Sequence, residues 1–143
     1  MPDFLTASLV DALPLPILLV NRAERIVSAN PAARLLFGRD IEGRAFVTVL
    51  RQPALGQALE EALQDDRPGR VRLRISSNGR EMVAMATVSP LPPGEEIGLP
   101  QGGAVVAIED VTALEEAEVM RRDFVANVSH ELRTPLTALM GFV

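Results

Sequence analysis

The chain has 143 residues, 48% of them apolar, which suits one domain with a true core plus a short appendage. Fourteen basic residues against nineteen acidic ones leave a net charge of −5, which argues against a nucleic-acid partner. All the basic residues are arginines, so no lysine is present for a phosphate loop or a Schiff base. With no cysteine, disulfides, thiolate nucleophiles, cysteine-ligated zinc and a flavin–cysteinyl adduct are excluded; His130 is the sole histidine, so no site uses two imidazoles.

No apolar run approaches the roughly 18 residues of a membrane span, and Leu15 to Val20, the longest strongly apolar stretch, contains Pro16. The N-terminus has no cationic lead into an apolar stretch, so no signal peptide is read and the segment is expected to be cytoplasmic.

Asp3 is a candidate cap for a short helix through Leu5, Leu9 and Val10, ending before Pro14 and Pro16. Ile17 to Val20 reads as a strand, Asn21 to Glu24 as a polar turn, and Arg25 to Ala29 as a second strand. Asn30-Pro31 pairs a cap with a first-position proline, and Gly38 is the expected stop. Arg39 to Leu50 is mixed, with short helical turns expected around a bend at Gly43. Pro53 to Leu63 is a clearer helix, with Leu55, Leu59 and Leu63 on one stripe.

The period then becomes two. Val71, Leu73 and Ile75 alternate with Arg70, Arg72, Arg74 and Ser76, which predicts a strand with one wet face. Asn78-Gly79 signals a tight hairpin into a strand from Glu81 to Ser89. Pro90 to Gly103 is expected to be a flexible loop, and Ala104 to Ile108 the last strand. Thr112 and Glu115 then form a capping box for a long helix.

This order predicts an α+β fold: a five-stranded antiparallel sheet with helices on one face, followed by a coiled-coil-like C-terminal helix. It resembles the PAS family of sensor domains over Pro14 to Thr112, through the element order, Asn30 after the second strand, and Asp110-x-Thr112 closing the last. The resemblance implies that Asp110 and Thr112 pass a signal from sheet to outgoing helix. The expected divisions are an N-terminal helix (1–13), a PAS-like sensor domain (14–109), a linker helix (110–123) and a phosphoacceptor helix (124–143).

Phe124, Val128, Leu132, Pro135 and Leu139 form an apolar seam of coiled-coil spacing. At about 100° per residue, His130 points away from that seam, with Glu131 adjacent and Thr134 one turn on. A lone histidine is more often structural, but that role predicts burial or a cap, whereas this phase puts the ring in solvent. The run Phe124-Val-Ala-Asn-Val-Ser-His130-Glu131-Leu-Arg-Thr134-Pro135-Leu136 resembles the H-box of sensor histidine kinases. Its wording is similar to that of the phosphate-starvation class, kinases often preceded by membrane helices that would anchor the parent in the inner membrane.

The resemblance implies phosphoryl transfer from ATP and Mg to His130, and then to an aspartate of a response-regulator receiver domain. Glu131 would accept the other ring N–H, and Thr134 would orient water for dephosphorylating the partner. Pro135 removes one helix hydrogen bond and allows a bend. A homodimer is expected, with both His130 rings outward. Glu118 and Arg121 fall near seam positions, where polar residues weaken a coil and let it switch register. His130-Glu131 also begins a zinc-protease motif, but Thr134 stands where the second histidine belongs.

The chain stops at Val143, inside what would be the first of two hairpin helices, and the family's ATP-binding boxes are not among its residues. Alone, it is expected neither to bind ATP nor to phosphorylate itself. Haem ligation and a flavin adduct are disfavoured, and few aromatic residues are present to stack a large cofactor. No metal site is read: Asp65-Asp66 and Glu95-Glu96 are solvated turn charges. An empty core, a small metabolite or a regulatory protein are the expectations for the PAS-like domain. Arg70, Arg72, Arg74 and Arg80 could bind an anion, with a solvated face as the plainer reading. The alternative to a kinase fragment is a stand-alone PAS binding and dimerisation module without phosphotransfer.

Overall fold

The computed structural model describes the backbone of residues 4–140 and the side chains of residues 8–133. Asp3, the expected first cap, lies outside the described residues. The chain divides after Asp110 into two compact units, residues 1–110 and 111–143.

In the first unit, α1 (Phe4–Ala12) leads through the Pro14–Pro16 segment to β1 (Ile17–Asn21), β2 (Ile26–Ala29) and α2 (Pro31–Phe37). A single helical turn, α3 (Phe46–Val49), precedes α4 (Pro53–Asp65). The strands β3 (Gly69–Ser77), β4 (Arg80–Leu91) and β5 (Gly103–Asp110) complete one antiparallel sheet in the order β2-β1-β5-β4-β3. Between β3 and β4, Asn78 (φ 53°) and Gly79 (φ 77°) make the two-residue turn whose twist matches its strands, as the Asn-Gly pair predicts.

One sheet face is apolar because the period-two pattern keeps it so. Leu18 and Val20, Leu73 and Ile75, Ala84, Ala86 and Val88, and Ala104, Val106 and Ile108 all turn inward. Against them pack Phe46, Ile41 and α4, whose expected stripe of Leu55, Leu59 and Leu63 is buried together with Ala58 and Ala62. These alanines on facing elements leave room for close approach of helix and sheet.

Three expectations are corrected. Pro90 to Gly103 is folded rather than a flexible loop: β4 continues to Leu91, Glu95–Ile97 is a 3-10 turn, Gly94 pairs with Leu99, and Leu99 is fully buried. The glycines there serve close packing, since a Cβ on Gly103 would fall 2.1 Å from the Val20 carbonyl oxygen. Second, the register sets Arg80 opposite Ser77, on the inward-facing parity of β3, while Arg70, Arg72 and Arg74 share the opposite face. The four arginines are thus not one cluster.

The third correction concerns the second unit, one helix, α5 (Thr112–Met140), unbroken through position 135. Its first-turn hydrogen bond runs from the Glu115 N–H to the Val111 carbonyl, so Val111, not Thr112, holds the cap position. The turn begins one residue earlier than the capping box requires.

Candidate functional site

The first unit is organised around one buried polar side chain. Asn30 is 1% exposed, and its Oδ1 accepts from Ile17 N–H (2.9 Å) and Ala33 N–H (3.0 Å). Its Nδ2 donates to the carbonyls of Leu15 (2.7 Å) and Val10 (3.2 Å). One amide therefore caps α2, fixes the start of β1 and holds the end of α1, using both its donors and both acceptor positions. Arg22 ties the far end of the unit, donating to the Gln101 carbonyl (2.6 Å) and to the Leu63 carbonyl in the last turn of α4 (2.7 Å). Among the described residues, no buried side-chain polar atom lacks a partner.

The second unit has the opposite character. Thr112–Met140 contains no glycine and is rich in alanine, leucine, glutamate and arginine, so a 29-residue helix of about 43 Å is favoured locally. Its large apolar side chains among the described residues include exposed Met120 (71%), Phe124 (68%), Val128 (40%) and Leu132 (58%). His130 and Glu131 are exposed too, and helical phase sets His130 on the far side from Val128 and Leu132, with Glu131 between it and the seam. Glu118 and Arg121 pair with each other one turn apart (3.2 Å). Thr134 lies in the helix, but its side chain is outside the described residues, as are those of Pro135 and Leu139.

The histidine and its neighbouring carboxylate are thus both in solvent on one rigid helix. An imidazole there can receive an electrophile, and a carboxylate one residue on can take a proton. Asp110 ends β5, paired in register with Ala84, and Thr112 opens α5. No group of three histidine, aspartate or glutamate side chains among the described residues could hold a metal ion. No helix among them is long and apolar enough to cross a membrane.

One feature escapes the sequence reading. An open cleft of about 470 Å³ lies between the end of α2, the α3–α4 connection and the outer strand β3. Its residues come from three separated stretches, each apolar in an ordinary way, and no local pattern marks them. The nearest signal is Leu36-Phe37 running up to Gly38, apolar to the helix end.

An antiparallel five-stranded sheet with helices on one face, its last strand in the middle between the first and the fourth, defines a PAS fold, here followed by a helix exposing a histidine. Residues 5–76 match the PAS domain family and residues 120–143 match the His Kinase A (phospho-acceptor) domain. The PAS domain of nitrogen regulation protein NR(II) from Vibrio parahaemolyticus superposes with a TM-score of 0.59 at 21% identity, covering 76% of this chain and 99% of that one. The Staphylococcus aureus sensor protein SrrB is 31% identical over 136 residues, 94% of this chain but 21% of its own length. The phosphate regulon sensor protein PhoR of Pseudomonas aeruginosa is 56% identical over 39 residues, 27% of this chain and 9% of its own. The chain therefore spans only a small part of these curated relatives. It belongs to the PAS-domain family, and the segment that follows matches the phospho-acceptor domain of histidine kinases.

Proposed function

We propose that the chain is the sensory and phosphoacceptor part of a histidine protein kinase whose intact form phosphorylates His130 and relays the group to a response regulator. The observation that carries this reading is His130 exposed beside Glu131 on α5, within the segment matching the phosphoacceptor domain. The unprotonated ring nitrogen attacks the γ-phosphorus of ATP in line, the bond to the bridging oxygen breaks, and ADP leaves with that electron pair. Glu131 accepts the remaining ring N–H, steadying the tautomer and the positive charge that develops on the ring. A receiver-domain aspartate oxygen then attacks the same phosphorus and the N–P bond breaks. Thr134, one turn further, orients the water that attacks the receiver's aspartyl phosphate, releasing inorganic phosphate and the free carboxylate.

ATP and Mg are supplied by a domain beyond these residues, so this chain alone incorporates no phosphate. Two copies associate through the exposed seam of Phe124, Val128 and Leu132, leaving both His130 rings outward. Asp110 and Thr112 form the junction through which a shift in the sheet turns α5. The segment works in the cytoplasm, and the wording shared with PhoR supports a phosphate-responsive class.

The test uses the parent kinase with Mg and radiolabelled ATP. His130→Gln is expected to abolish acid-labile label, and Glu131→Gln to slow its appearance about a hundredfold, the usual scale of general acid–base assistance. Label surviving in the His130→Gln protein would overturn the assignment.

A further inference from the structure

The inward face of the sheet is filled: Phe46, Leu55, Leu59, Ile41 and Ile108 are essentially inaccessible there. The concave space lies instead at the edge of the fold, outside β3. Its volume of about 470 Å³ falls within the range of small-molecule sites, ~300–1,000 Å³. Of the few hydrophobic residues left partly buried at the margin of the core, Leu36, Phe37 and Val49 gather on this one cleft. Leu50 and Ile75 continue the same apolar floor into the core.

The charge around the cleft is one-sided. Arg51 and Arg74 line it and no aspartate or glutamate does, in a chain where acids outnumber bases. Both arginines are exposed, and no carboxylate among the described residues pairs with either guanidinium. An apolar floor with cationic edges fits a ligand with a compact apolar body and a single anionic head. Gln52 closes one wall against the other, its Nε2 donating to the Arg74 carbonyl (3.1 Å).

We propose that this cleft between α2, α3 and β3 binds a small amphiphilic carboxylate, its apolar part on Phe37 and Val49 and its head between Arg51 and Arg74. Binding there spans the α3–α4 connection and the outer strand, and so acts on the Gln52–Arg74 link. That such a ligand is the sensed stimulus rests on the function proposed above; the binding does not.

The experiment titrates the 143-residue chain with phenylacetate, following backbone amide shifts by NMR, with phenylacetamide and phenethylamine as neutral and cationic counterparts. Saturable shifts confined to residues 36–37, 48–52 and 74–76 are expected, with phenylacetate bound about tenfold more tightly than the amide and the amine weakest. Arg51→Glu and Arg74→Glu, both exposed and harmless to folding, are each expected to weaken phenylacetate about tenfold without lowering the melting temperature. Absent or scattered shifts, equal affinity for all three compounds, or unchanged affinity in both variants would overturn the site. Phosphotransfer in the parent is measured separately, so loss of the kinase reading leaves the binding result standing.

Discussion

The two units satisfy their side chains by opposite means. In residues 1–110 the apolar side chains of five strands and α4 bury one another, and Asn30, the one fully buried polar side chain among the described residues, finds four partners. In α5, Met120, Phe124, Val128 and Leu132 stay exposed, and Glu118 pairs with Arg121 on the helix surface. The first unit buries its apolar surface within itself, whereas the described apolar side chains of α5 lie in solvent. Under the proposed function that difference matters, because an imidazole that is to take up a phosphoryl group needs open solvent around it, and an exposed helix gives that.

Substitutions can test the contrast, beginning with the largest expected effect. Asn30→Asp keeps the acceptors but sets a buried carboxylate against the Leu15 and Val10 carbonyls, and should destabilise the first unit by about 3–5 kcal/mol in urea unfolding. Asn30→Ala strands the Ile17 N–H and two carbonyls and should cost about 2–4 kcal/mol. Gly103→Ala, with its Cβ driven into the Val20 carbonyl, should cost about 1–3 kcal/mol by forcing β1 and β5 apart. Phe124→Glu with Val128→Glu should leave that unfolding transition in place while shifting sedimentation equilibrium towards monomer. Glu118→Ala, which removes a half-exposed pair, should change helix stability by less than about 0.5 kcal/mol in circular dichroism melts.

The sequence disclosed most where chemistry is local. Asn30-Pro31 announced a cap and delivered one, Asn78-Gly79 announced a tight turn, and the alternation in β3 assigned its inward and outward faces. It disclosed least where distant stretches meet. Proline and glycine in residues 90–103 suggested flexibility, yet buried Leu99 and the closeness of Gly103 to Val20 make that stretch part of the packing. Arg80 seemed one of a cluster until pairing with Ser77 put it on the other face. The exposure of His130 was legible because helical phase alone separates it from the seam, whereas the cleft depends on how α2, α3 and β3 come together.

Site localisation of the phosphoryl group is the most direct trial of the account. Parent kinase phosphorylated with Mg-ATP, digested at neutral or alkaline pH and read by tandem mass spectrometry should carry its phosphate on the imidazole of His130 and nowhere else in residues 111–143. Phosphate on a serine, threonine or aspartate of that segment, with His130 unmodified, would contradict it.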